Sequence, residues 1–308
     1  MTPHNLYLQD TGKGPQARPL VLGEVLWDVF SDSTRLGGAP LNFAAHTLRM
    51  GHTPLLISAV GEDDLGRQAA REIQSLGLDT SLLQRTERFP TGRASVSLDP
   101  QGQAAFLIDR PAAYDAVTLS AGEIQTVQNW SPDWIYFGTL FSSMPEGRAT
   151  LLELLRLLPG ALRFYDLNLR PGFESAALVC ELLEQAHVVK MNRDEMCAIH
   201  RYLGLPAETN AFCAAASERF GWRAVCVTLG SRGCAVFANG QYQEDPGCPI
   251  HVADTVGAGD AFAAAFLHGL ASKWDIAEIA RFANRVGALV ASKPGAIPDW
   301  TPAEAAAL

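Results

Sequence analysis

A chain of 308 residues that is 48% hydrophobic and 19% charged has room for a large core and is neither disordered nor fibrous in composition. Its net charge of -9 offers no cluster of Lys and Arg to neutralise a nucleic-acid backbone, and no apolar run is long enough to span a bilayer. The expectation is a cytoplasmic protein without nucleic-acid or membrane partners, whose six cysteines, none in a C-x-x-C pair, are reduced thiols.

Residues 1–18 are polar and glycine-containing and read as a loose leader. The apolar run 19–29 reads as one buried parallel strand ending near Asp28. Gly37 and Gly38 break the chain, Pro40 suits a first helical position, and 41–50 has helical spacing closed by Gly51. A strand at 54–60 and a helix at 63–76 continue the β-α-β-α order of a sheet with crossover helices. Between 89 and 110 the pattern changes to two short strands around Asp99-Pro100-Gln101-Gly102, which reads as a hairpin flap. Strands at 134–138, 162–167, 187–191 and 224–229 then alternate with helices at 146–157, 174–185, 194–203 and 210–220. Segments 233–238 and 249–252 are expected to form an antiparallel edge, and 278–292 the last long helix. No repeat or linker divides the chain, so one α/β domain is expected over 19–308, with a small β lid at 29–37 and 89–110.

The stretch that carries chemistry is Asp254-Thr255-Val256-Gly257-Ala258-Gly259-Asp260, followed by an alanine-rich helix. Two glycines around one alanine let the backbone approach a ligand, and the helix N-terminus behind them attracts anions, so the stretch reads as a phosphate cradle. Asp260, on the first turn, is placed to act as a general base on a phosphate-accepting hydroxyl; the alternative is a plain N-terminal charge on a core helix. In open α/β sheets ligands bind beyond the carboxyl ends of the strands, where Asp28, Asp166, Asn168, Asn192 and Gly230 fall.

Together these residues resemble the PfkB, or ribokinase-like, carbohydrate kinases. The resemblance rests on Gly-Gly-Ala-Pro-Leu-Asn-Phe-Ala at 37–44 and the Gly-rich signature at 254–260, with echoes in Asn192-Arg193-Asp194-Glu195 and in 227–233. It covers roughly residues 19–298 and implies a three-layer α/β/α fold with a mostly parallel sheet. It implies Asp260 as base and the N–H groups of Gly257, Ala258 and Gly259 as anion hole, with Asp28, Gly37, Gly38 and Asn42 on the sugar. Arg110, Asn168 and Arg170 are further sugar-side candidates. Thr228, Gly230, Gly233, Asn192 and Asn284 would line ATP, Glu195 with Asn192 would hold Mg2+ through water, and a potassium-type ion would sit beside Asp254 and the turn at 292–295. No Walker lysine motif is present, consistent with phosphoryl transfer by positioning and charge stabilisation.

Gly23-Glu24-Val25-Leu26-Trp27-Asp28 and Asp166-Leu167-Asn168-Leu169-Arg170 are most similar to the fructokinase branch, which implies fructose to fructose 6-phosphate with ATP. Arg110 keeps open a 2-keto-3-deoxygluconate kinase, other sugar or nucleoside kinases of the family stay open, and a sugar or nucleotide sensor without chemistry is the alternative of another class. The short spacer 29–36 implies a lid drawn mainly from 89–110, with incomplete closure and idle ATPase activity, and lids of relatives raise a homodimer through this flap.

Overall fold

The structure, a computed structural model, describes residues 16–98 and 104–308. Most of the expected leader and the turn Asp99-Pro100-Gln101-Gly102 lie outside the described residues. The strands are β1 (Pro19–Leu22), β2 (Leu26–Val29), β3 (Thr34–Gly37), β4 (Leu55–Gly61), β5 (Leu83–Thr86), β6 (Gly92–Leu98), β7 (Ala104–Asp109), β8 (Trp134–Gly138), β9 (Leu162–Asp166), β10 (Val188–Asn192), β11 (Ala224–Thr228), β12 (Cys234–Ala238) and β13 (Gln241–Asp245). The helices are α1 (Ala39–Arg49), α2 (Asp64–Ser75), α3 (Ala121–Trp130), α4 (Thr139–Ser142), α5 (Pro145–Leu157), α6 (Ala176–Gln185), α7 (Arg193–Leu203), α8 (Thr209–Phe220), α9 (Ala258–Ala271), α10 (Ile276–Ala291) and α11 (Pro302–Ala307).

Nine strands form one sheet in the order β13-β12-β11-β10-β9-β8-β1-β4-β5, parallel from β11 to β5 and antiparallel at the β11-β12-β13 edge. Side chains alternate across the pleat, so the strands supply two cores. Val21, Leu56, Tyr136 and Phe164 pack with residues of α1, α9 and α10 on one face, while Leu20, Ile57, Phe137 and Tyr165 pack with α5, α6 and α8 on the other. This is the expected three-layer arrangement, and it explains why the central strands read as unbroken apolar runs.

The run 19–29 is not one strand. At Gly23, with φ of 155°, the chain leaves the main sheet after β1 and enters β2 in a second sheet ordered β3-β2-β6-β7. A Cβ at Gly23 would lie 2.2 Å from Pro40 Cγ, so the crossing needs a glycine. Asp28 therefore stands in the lid and does not end a main-sheet strand. A reversal at Phe30–Ser33, closed by Phe30 N–H to Ser33 O at 2.9 Å, turns β2 into β3, so residues 26–37 give two of the lid's four strands and the 89–110 hairpin the other two. The lid is thus larger than the spacer length implied. Leu26, Ala94, Ile108, Ala112, Tyr114 and Leu140 form its small core.

At the far edge β12 pairs with β13 and not with 249–252. Asn239 and Gly240, both at positive φ (52° and 77°), make the two-residue turn that closes this hairpin. The elements not expected include β5, α3, α4 and α11. β5 reads Leu-Gln-Arg-Thr without alternation, and α3 is fixed mainly by the Ser120 and Glu123 capping box.

Candidate active site

α9 begins where the Gly-rich turn ends. Gly257 caps it in the left-handed region, φ 79°, and a Cβ there would stand 2.6 Å from Ala296 Cα, so the loop is pressed against the 296 backbone. The Ala258 N–H turns back to Thr255 O at 3.3 Å. Among the three N–H groups assigned to the anion hole, those of Gly257 and Gly259 are therefore the better donors, with the first-turn dipole of a fourteen-residue helix behind them.

The wall behind this loop is clamped by α1. His46, fully buried, donates from Nε2 to Ala296 O at 3.0 Å and accepts at Nδ1 from the Trp300 indole at 3.1 Å. Burial holds its imidazole down at about 4, so it stays neutral in this role. One turn earlier on the same face of α1, Asn42 donates to Asp260 Oδ2 at 2.8 Å.

Asp260 is 8% exposed and lies one helical turn into α9. Asn168, held at φ 44° just past the end of β9, approaches its other oxygen at 3.5 Å. Burial raises the Asp260 carboxyl to about 6, reinforced by Asp166 and opposed by Lys190, Asn42 and Arg170. A carboxylate of that basicity is ionised at neutral pH yet able to take a proton, as a general base requires.

Two further buried acids, Asp28 and Glu24, lie within the field of Asp260. Asp28 is 5% exposed, and a Cβ at Gly37 would meet its Oδ2 at 2.6 Å, so the first glycine of the signature makes room for this carboxylate. Gly38, at φ 113°, packs against the Glu24 carbonyl, which a Cβ would approach to 2.3 Å. Burial raises both Glu24 and Asp28 to about 7; Asp260 pushes the same way and Arg170 pulls back. Arg170 is half-buried and acts on all three carboxylates. In the sequence Glu24 stands out only within the run Gly23 to Asp28, and its electrostatic coupling to Arg170 and Asp260 brings it into the site.

Arg110 is placed differently. Its side chain, 6% exposed, forks onto Asp115, bonds Leu140 O at 2.9 Å and Ser143 Oγ at 2.7 Å, and lies between the Tyr114 and Phe173 rings. Four of its five donors are used, which leaves no fork for a substrate carboxylate.

Beneath the anion loop stands Lys190, which sequence reading passed over. It is 4% exposed, pairs with Asp166 at 3.0 and 3.3 Å, and its ammonium would lie 3.4 Å from a Cβ at Gly259. Tyr136 donates to the same Asp166 at 3.1 Å. Burial pulls Lys190 down, but Asp166, Glu195 and Asp260 outweigh it and leave the ammonium firmly charged. The signal was there: a lone lysine inside the apolar strand Val188-Val189-Lys190-Met191.

Glu195 and Asn192 form the capping box of α7. Glu195 Oε2 accepts the Asn192 N–H at 2.7 Å and Oε1 the Leu169 N–H at 2.8 Å. Each oxygen keeps a lone pair, which suits a Mg2+ reached through water, whereas no group of three acidic, His or Cys ligands occurs among the described residues. Thr228 ends β11, and Gly230, φ 62°, opens onto empty space above it. Gly233 instead packs on the 245–247 backbone, 1.9 Å from Asp245 O to a built Cβ, and Asn284 donates to Asp245 Oδ1 at 2.6 Å. These two brace the edge hairpin against α10 and leave the open approach to Gly230.

Asp254 precedes the loop with both oxygens engaged. Oδ1 accepts the Val256 N–H at 3.0 Å, and Oδ2 accepts Gly295 N–H at 3.1 Å and Arg35 Nη1 at 2.7 Å.

The chain has counterparts among known proteins. The profile described as pfkB family carbohydrate kinase matches residues 16–303. The chain belongs to the pfkB family of carbohydrate kinases. Among its pfkB relatives, the fructokinase of Escherichia coli is 29% identical over 300 residues, covering 91% of this chain and 95% of the relative. Fructokinase-1 of Zea mays is 27% identical, covering 94% and 92%. Solved pfkB-like structures share the fold: a fructokinase with bound ATP from Xylella fastidiosa superposes with a TM-score of 0.82 at 23% identity, covering 94% of this chain and 97% of that one. A 2-dehydro-3-deoxygluconokinase from Thermotoga maritima gives 0.84 at 21% identity, covering 95% and 98%.

Proposed function

We propose that this sugar kinase transfers the γ-phosphoryl of ATP to a primary hydroxyl of a neutral sugar, with fructose to fructose 6-phosphate as the favoured reaction. The observation that carries the reading is the buried Asp260 carboxylate, oriented by Asn42 on the first turn of α9 beside the Gly257 to Gly259 loop. Asp260 takes the proton of the acceptor hydroxyl as that oxygen attacks the γ-phosphorus, and the bond to the ADP oxygen breaks. The N–H groups of Gly257 and Gly259 receive the equatorial charge, and the Lys190 ammonium behind Gly259 adds a fixed positive field. Glu195, with Asn192, would hold a magnesium ion through water, and such an ion would supply charge neutralisation for the ATP phosphates.

Asp28, with Glu24 in the field of the same Asp260 and Arg170, supplies acceptors for sugar hydroxyls, and Arg170 balances their charge. The saturated Arg110 favours a neutral sugar over a keto acid. Thr228 and Gly230 are the proposed nucleotide contacts. We place the enzyme in the cytoplasm: the described residues hold six free cysteines and no helix long and apolar enough to cross a membrane. A homodimer through the lid would cover Leu107, 71% exposed on β7.

The test is ADP release from ATP and magnesium with fructose, mannose, glucose, ribose, 2-keto-3-deoxygluconate or adenosine, against a no-sugar blank. A rate with fructose above the others supports the reading. Preference for the keto acid overturns the sugar assignment, and silence across the panel favours a sensor without chemistry.

A further inference from the structure

The resemblance places a potassium-type ion at Asp254 and the 292–295 turn, and the Asp254 end of that site is already occupied by the chain's own donors. Such an ion needs several oxygen lone pairs. The Asp254 carboxylate already accepts Val256 N–H, Gly295 N–H and the Arg35 guanidinium, and the neighbouring Ala291 carbonyl accepts Ala253 N–H at 2.9 Å and Asp254 N–H at 3.2 Å. The positive charge at this carboxylate is therefore supplied by the chain.

Arg35 comes from the lid. It lies on β3 directly opposite Asp28 on β2, and its guanidinium stands 5.0 Å from the Phe30 ring centroid. Through Asp254 it reaches both sides of the anion loop: Val256, one residue before Gly257, and Gly295, next to the Ala296 that backs Gly257. The same strand pair thus carries a sugar-facing carboxylate and the cation that organises the loop.

We propose that Arg35 is a positioning residue that replaces a bound monovalent cation, so that the lid itself sets the anion loop and phosphoryl transfer in this kinase is independent of potassium. The proposal rests on the reading of 257–259 as the anion hole. Arg35 is 42% exposed on its side chain, and a half-exposed ion pair adds little to stability. A merely structural pair would leave turnover untouched; a positioning one shows in kcat.

The first experiment needs no sugar. Melting temperatures of wild type and Arg35→Ala are recorded at fixed ionic strength in potassium, sodium or tetramethylammonium chloride. Wild type should melt at the same temperature in all three, and Arg35→Ala within about 2 °C of it, with a saturable potassium-specific rise confined to the variant. A saturable potassium rise in wild type overturns the proposal, whatever the substrate proves to be. The second experiment reads turnover with the sugar that the panel identifies. Wild type should vary less than about 2-fold among the salts, while Arg35→Ala loses roughly 10-fold or more of kcat in tetramethylammonium with little change in ATP KM. Potassium or guanidinium chloride should restore part of that loss, and Arg35→Lys should fall between. If the variant keeps wild-type kcat in every salt, or wild type needs potassium, Arg35 does not have this role. Failure of the panel would sink the kinase reading and leave the melting result to decide on Arg35.

Discussion

Every residue of β4 and β8 is buried in the nine-stranded sheet, whereas β3 of the lid exposes Thr34 and Arg35 and β7 leaves Leu107 mostly bare. The first sheet is packed on both faces by helices; the second has a single core of six buried side chains. The groups proposed to handle the phosphoryl, Asp260, Lys190 and the Gly257 turn, hang on the doubly packed frame. Those proposed to face the acceptor, Asp28 and the Gly37 strand, hang on the thin one. A sheet with few apolar contacts opens at low cost, which suits admission of a sugar, while charge stabilisation demands donors that do not move.

The sharpest break of this contrast is Asp260→Asn. It should lower kcat by about 10³-fold with little change in melting temperature, because the amide oxygen keeps the Asn42 contact while the proton acceptance and the long 3.5 Å Asn168 contact are lost. Near-native turnover of a folded variant would remove Asp260 as the base. Lys190→Met should show what the frame tolerates least: Asp166 is left buried without its counter-charge, costing about 3–5 kcal/mol in urea unfolding. Adding Asp166→Asn should recover most of that stability but not the rate, and a single variant as stable as wild type would disprove the buried pair as a structural element.

In the lid, Asp28→Asn should raise the sugar KM roughly 10-fold and leave ATP KM and stability alone. Equal changes in both constants would erase the proposed division between the two sheets. The smallest effect concerns pH. The Asp260 carboxyl at about 6 predicts that kcat/KM falls as pH drops below that value. Glu24, raised to about 7 by burial, binds more protons folded than unfolded between its two pKa values. Its contribution to stability is therefore fully present in acid and lost as pH rises through about 7. Glu24→Gln should shrink the difference in melting temperature between acid and mildly alkaline buffer; an unchanged difference would assign it to other groups.

Much of the frame is legible in the sequence because its physics is local. Apolar runs without alternation, bounded by helical spacing, announce strands buried on both faces, and the two Gly signatures announce close backbone approach. The lid is half hidden, since Pro19 to Val29 is mostly apolar and a single Gly23-Glu24 step at the switch of sheets reads equally as a strand irregularity; the contact with Pro40 shows that it is a crossing. Lys190 escaped because its partner Asp166 lies twenty-four residues away and meets it only through the register of β9 with β10. For Gly233 and Asn284, which the resemblance implies as nucleotide contacts, the packing on residues 245–247 is not legible in the sequence, because only the hairpin closure brings that segment to them.

The clamp formed by His46, Ala296 and Trp300 has a consequence for synthesis. A ribosome has already made every signature residue by Asp260, but the wall behind Gly257 is complete only when Trp300 emerges and locks onto α1. A nascent or prematurely terminated polypeptide should therefore be silent, showing neither sugar-dependent nor idle ADP release when ended at Ile297. The backing of the anion loop is thus translated after the loop itself, and its two parts, Ala296 and Trp300, are joined through His46 of α1.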